Sequence, residues 1–160
     1  MKSLVLYHSR TGTTAKIALA LQAALGAEVA QITCPRYQSG WLRYLLAGYD
    51  SVKGRLPAIE VPDIAFDDYD LVILGAPIWT SYPSLPLRSF LAQRPQLPGH
   101  TALLLTCGGH SPSEKAVDFV NDLLPVPLVT SLTIAQEDVV EGRYSNAVDA
   151  FVAELKAFQG

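Results

Sequence analysis

Ser9-Arg10-Thr11-Gly12-Thr13-Thr14 gathers four hydroxyls, one glycine and one guanidinium into six residues, with no carboxylate. Such a set suits an anion. It follows the apolar run Leu4-Val5-Leu6-Tyr7 and precedes Ile17, Leu21, Ala24 and Leu25, which are spaced as one helix face, so it reads as a strand-to-helix turn. Backbone N–H groups at a helix N-terminus have no partner within the helix, and the helix dipole places roughly half a positive charge there. A phosphate could take up those donors. The same residues also suit an ordinary Ser/Thr N-cap. By itself the stretch leaves both readings open.

Two further stretches carry residues of interest. Ala76-Pro77-Ile78-Trp79-Thr80-Ser81-Tyr82 places two aromatics in what reads as a loop over Pro77 to Ser84. They could stack on a flat ring, or Trp79 could simply pack over the loop. Thr106-Cys107-Gly108-Gly109 ends on two glycines. These would let the backbone approach a ligand closely, or serve a turn that needs positive φ. Cys107 is either a reactive thiol or a small buried neighbour of a ligand, and His110 either a general acid or a solvated loop residue. His8 and Ser9 adjoin but point to opposite faces of a strand, a poor nucleophile–base pair. The sequence contains no G-x-x-x-x-G-K-[ST], which excludes a P-loop NTPase. Neither cysteine has an arginine six positions on, which excludes a cysteine-dependent phosphatase loop.

The elements that must position these stretches alternate between strand and helix. The patterning predicts strands near Ser3–His8, Glu28–Ile32, Asp70–Ala76, Thr101–Thr106 and Leu128–Ile134, and helices near Thr13–Leu25 and Ser145–Phe158. A third helix carries Pro86 near its first turn, with Leu87, Phe90 and Leu91 inward. A fourth, with Val117, Val120, Leu123 and Leu124 on its face, opens on Ser111-Pro112-Ser113-Glu114, which reads as a capping box with proline at the first helical position. The stretch from Cys34 to Pro62 is the least legible, and within it 36–55 is basic and aromatic. Trp41, Leu42, Leu45 and Leu46 could form one helical face, while Arg36, Arg43, Lys53 and Arg55 alternate with tyrosines. The basic run could dock a nucleotide or a partner, or be a solvated face.

Strongly apolar central strands in this rhythm predict an α/β fold: a doubly wound, three-layer parallel sheet of five strands within a single domain spanning 1–160. Ligands of such sheets bind beyond the strands' C-terminal ends, so all three chemical stretches should open on one rim. At 160 residues, 49% apolar and 17% charged, the chain can bury a sizeable core. A net charge of −3 does not point to nucleic acid. No apolar run reaches the roughly 18 residues of a membrane span. The early strand argues against a signal peptide, and two cysteines are too few for a disulfide framework. The expected location is the cytoplasm.

Taken together, the three stretches resemble the flavodoxin family. Ser9 to Thr14 is similar to that family's FMN phosphate loop, [ST]-x-T-G-x-T. Gly75-Ala76-Pro77-Ile78-Trp79 is similar to its loop on one face of the isoalloxazine ring, and Thr106 to Gly109 stands where its third loop borders the flavin. The resemblance covers nearly the whole chain and implies strand order 2-1-3-4-5 and FMN as cofactor. It implies phosphate contacts from backbone N–H groups of residues 10–14 and from the hydroxyls of Ser9, Thr11 and Thr14. Trp79, and with it Tyr82, would stack on the ring, in a loop that includes Thr80. Acidic clusters typical of electron-carrying members are missing from the three loops, which favours an oxidoreductase accepting reducing equivalents from NAD(P)H or a reductase and passing them to an acceptor such as a quinone. The alternatives are a one-electron carrier without its own substrate and a flavin-free binding module.

Overall fold

The computed structural model describes residues 1–38, 40–109 and 112–158. Five strands lie parallel: β1 (Ser3–Tyr7), β2 (Glu28–Gln31), β3 (Leu71–Trp79), β5 (Thr101–Cys107) and β6 (Ser131–Ala135). Their order is β2-β1-β3-β5-β6, and a two-residue strand, β4 (Tyr82–Pro83), pairs antiparallel with the end of β3. Without β4 this is the expected 2-1-3-4-5 order. The central strands β1, β3 and β5 are buried almost throughout, whereas β2 and β6 are edges with partly exposed residues.

Alternation along the strands builds two cores. Val5, Tyr7, Leu71 and Ile73 pack against α1 (Thr13–Leu25) and against α6 (Ser145–Ala157), which contributes Phe151 and Leu155. Leu4, Leu6, Val72 and Leu74 face the other way, against α3 (Leu85–Ala92) and α4 (Glu114–Leu123). A smaller third cluster of Cys34, Tyr37, Ala47 and Leu85 lies under α2 (Trp41–Lys53). The short α5 (Gln136–Val140) follows β6 directly.

The β1–β3 contact is tightest where Tyr7 pairs with Gly75. A Cβ at Gly75 would lie 2.8 Å from the Tyr7 Cβ, an atom fixed to the neighbouring backbone. Gly75→Ala is therefore expected to lower stability by about 1–3 kcal/mol in urea denaturation, through strand displacement rather than backbone strain. An unchanged midpoint would mean that the two strands separate freely.

Three expectations need correction. Pro77–Ser84 is a hairpin rather than a loop: β3 runs on to Trp79 and turns through Thr80 and Ser81, both at positive φ (51° and 74°). That is the geometry of a two-residue hairpin turn, normally marked by Gly or Asn, which this sequence lacks. Helix α4 starts at Glu114, and Ser113 makes no side-chain capping bond, so no capping box forms with Pro112 inside the helix. The Ser111 and His110 readings fall outside the described residues. The last strand begins at Ser131 rather than Leu128, although Val129 N–H already donates to the Thr101 carbonyl. The expected helix over Trp41, Leu42, Leu45 and Leu46 does form, with the first three exposed and Leu46 half-buried.

Candidate cofactor site

The three strand-end loops converge. A cavity of about 710 Å³ is lined by Ser9, Arg10, Thr11, Thr13 and Thr14 from the first, and by Pro77, Ile78, Trp79, Thr80 and Ser81 from the second. Thr106, Cys107 and Gly108 come from the third. That volume lies within the roughly 300–1,000 Å³ of small-molecule sites. The remaining wall is Tyr44, Leu45, Ala47, Gly48 and Tyr49 of α2, with Gln136 of α5. No carboxylate lies on the lining among the described residues.

The first loop is shaped by Gly12, the N-cap of α1, at φ 93°. Its N–H is taken by Ser9 Oγ at 3.1 Å, so it points back into the turn rather than outward. The first helical bond runs from Lys16 N–H to the Gly12 carbonyl. Thr13, Thr14 and Ala15 therefore have no acceptor for their N–H groups within the helix. The first turn of α1 also contains no acidic residue. Thr14 is buried, and its hydroxyl meets that of Thr106 at 2.7 Å, tying the first loop to the end of β5. Arg10 donates to the Gly40 carbonyl at 3.1 Å, and its guanidinium lies 5.1 Å from the Tyr44 ring centre. It thereby links the phosphate-type loop to the start of α2.

Trp79 makes two T-shaped ring contacts. His8 and Tyr37 each stand at 5.5 Å between ring centres, nearly perpendicular to the indole. This fixes the indole on the cavity wall. His8 is buried, with Nδ1 2.9 Å from Ser84 Oγ, and burial together with the nearby Arg10 charge pulls its pKa down to about 4. It is neutral at pH 7 and does not pair with Ser9. Beneath the hairpin, Ser51 of α2 bonds Thr80 Oγ1 at 2.7 Å and accepts from Arg88 at 3.0 Å. Arg88 is buried against the rings of Tyr82 and Phe119, and burial lowers its pKa.

Most expected residues therefore meet at one place, but four do not line it. Gly12 sets the turn from behind. Ala76 is buried in the second core. Gly109 serves the turn, at φ 77°. Tyr82 is carried away by the hairpin and packs edge-on against Phe119 at 5.7 Å, so it is not placed to stack with Trp79 on one ligand. The α2 wall and Gln136 were missed. Tyr44, Leu45 and Tyr49 recur at helical spacing in the basic segment, which was the one available signal.

No protein-family model matches the sequence, and no curated protein does. Solved structures do match. A flavoprotein in complex with FMN from Lactobacillus acidophilus NCFM superposes with a TM-score of 0.71 at 22% identity, over 88% of this chain and 97% of that one. A flavoprotein from Bacteroides uniformis gives 0.71 at 20% identity, over 90% and 98%. Flavodoxin 2 from Bacillus cereus gives 0.61 at 16% identity, over 98% and 99%. The fold is flavodoxin-like.

Proposed function

We propose that this chain binds FMN in the cavity at the strand ends and acts as an oxidoreductase, taking reducing equivalents from NAD(P)H or a reductase and passing them to an acceptor such as a quinone. The observation that carries this reading is the convergence of three loops on one cavity that begins at the open N-terminus of α1 and has no carboxylate on its lining among the described residues. The residues fit the cofactor. A dianionic phosphate suits the N–H groups of Thr13 and Thr14, with the hydroxyls of Ser9 and Thr11 beside them. Trp79, braced by His8 and Tyr37, offers a face for a planar ring. Bound FMN would supply the hydride and electron chemistry, while the protein binds and orients it. The FMN-bound relative from Lactobacillus acidophilus supports the reading. The absence of carboxylates from the lining among the described residues weighs against a carrier that docks through acidic groups beside the flavin.

The test is an absorbance spectrum of the protein as isolated, followed by anaerobic titration with NADPH in the presence and absence of a quinone. Flavin absorbance that bleaches on NADPH addition, and is restored by the quinone, is expected. A colourless protein that takes up no added FMN would contradict the proposal. Trp79→Ala is expected to weaken FMN binding by about 1–3 kcal/mol, the range for aromatic–base stacking. Wild-type affinity in a fluorescence titration would mean that the indole does not touch the ring.

A further inference from the structure

Helix α2 is turned inside out. Its inner face carries Asp50 and Ser51, 0% and 5% exposed, and its outer face carries Trp41, Leu42 and Val52, 71%, 65% and 73% exposed. The inward polar groups are bonded within the protein: Asp50 accepts from Arg36 and Tyr37, and Ser51 meets Thr80 and Arg88. These bonds, with Ala47 and Leu46 packed in the third cluster, anchor the helix and leave its larger apolar side chains outward. Leu56, just beyond the helix, extends the exposed strip. Trp41, Leu42, Val52 and Leu56 are not among the residues that line the cavity.

Charge is distributed just as unevenly. Residues 36–58 hold four cationic side chains and one carboxylate, Asp50, which is buried. That segment sums to +3, whereas the whole chain is at −3, so the remaining residues sum to −6. Lys53 and Arg55 are exposed beside the apolar strip.

We propose that the outer face of α2 docks on an anionic lipid bilayer. Leu and Val side chains on one face, Trp and Tyr rings among them, and flanking Lys and Arg are the chemistry of a helix lying in the headgroup–acyl boundary. A symmetric contact with a second copy would set one +3 segment against another. Leu42, Leu45, Val52 and Leu56 add the aliphatic side chains that protein hot spots use sparingly. The −6 remainder is repelled by anionic headgroups, so the same field that draws α2 down holds the rest of the molecule up. Because Tyr44, Leu45 and Tyr49 of this helix also wall the cavity, docking brings the bilayer surface beside the cavity. The proposal does not depend on what fills the cavity.

The experiment is co-sedimentation with vesicles of phosphatidylcholine mixed with phosphatidylglycerol, and with vesicles of phosphatidylcholine alone, at low and high salt. Binding to the anionic vesicles is expected, weakened by salt, with a blue shift in tryptophan fluorescence. Trp41→Ser/Val52→Ser should abolish the shift, and Lys53→Gln/Arg55→Gln should weaken partitioning at least about tenfold. Both double variants should keep the far-ultraviolet circular dichroism spectrum of the wild type. Failure to bind anionic vesicles, or binding that these variants leave intact, overturns the proposal. So does sedimentation of the vesicle-free protein as a dimer that Trp41→Ser/Val52→Ser dissociates, because the face would then belong to a second copy.

Discussion

Thr11→Glu is expected to abolish FMN binding. Thr11 lies on the cavity wall beside the first turn of α1, where no acidic residue stands in the wild type. A carboxylate there would meet a dianion at close range, and like charges so placed cost several kcal/mol, enough to reduce affinity by about a hundredfold or more. The side chain is exposed, so the fold should survive. Thr11→Ser keeps the hydroxyl and should bind nearly as the wild type does. The check is a fluorescence titration of FMN into both variants, with thermal denaturation as the folding control. Equal affinity for Thr11→Glu and the wild type would remove the phosphate from this loop.

The second large effect is on stability against pH. His8 is buried between Trp79 and Ser84, and burial, reinforced by the Arg10 charge, lowers its pKa to about 4. In the unfolded chain it titrates near 6.5. Between those values the unfolded state binds a proton that the folded state refuses. The stabilisation from His8 is thus fully present above about pH 6.5 and is lost as the pH falls toward about 4, with a total of up to about 3 kcal/mol. Asp50 acts in a lower window. The Arg36 hydrogen bond outweighs burial and holds its pKa below the usual carboxylate range, so its contribution is lost only as the pH drops below the unfolded value near 3.9. Urea denaturation between pH 7 and pH 4 should show the His8 slope in the wild type. His8→Gln, which can still reach Ser84, should flatten it. An identical slope in the variant would place the titrating group elsewhere.

The sequence made the sheet and the first loop legible because their signals are local. Helix α1 has the predicted bounds, Thr13–Leu25, since Gly12 and Gly26 both take left-handed conformations at its ends. Doubly buried β3 and β5 read as unbroken apolar runs. What escaped depended on tertiary context. The Thr80-Ser81 turn adopts positive φ without Gly or Asn, held by the Ser51–Thr80 bond from a helix some thirty residues upstream. That hairpin moved Tyr82 off the site. The α2 wall was hidden because apolar periodicity normally marks an inward face. Here Asp50, bonded by Arg36 and Tyr37, takes the inward position and turns Trp41 and Leu42 out. Gln136 follows the last strand with no local motif at all, and reaches the cavity only because β6 lies beside β5.

The central claim is that the open end of α1 holds a phosphate, and the most direct measurement compares FMN with riboflavin, which has the same ring and no phosphate. Calorimetric titration of the protein stripped of any bound flavin should show FMN binding at least about a hundredfold more tightly, the scale of a charge-assisted phosphate contact made by several N–H groups. Equal affinities for the two flavins would contradict the account.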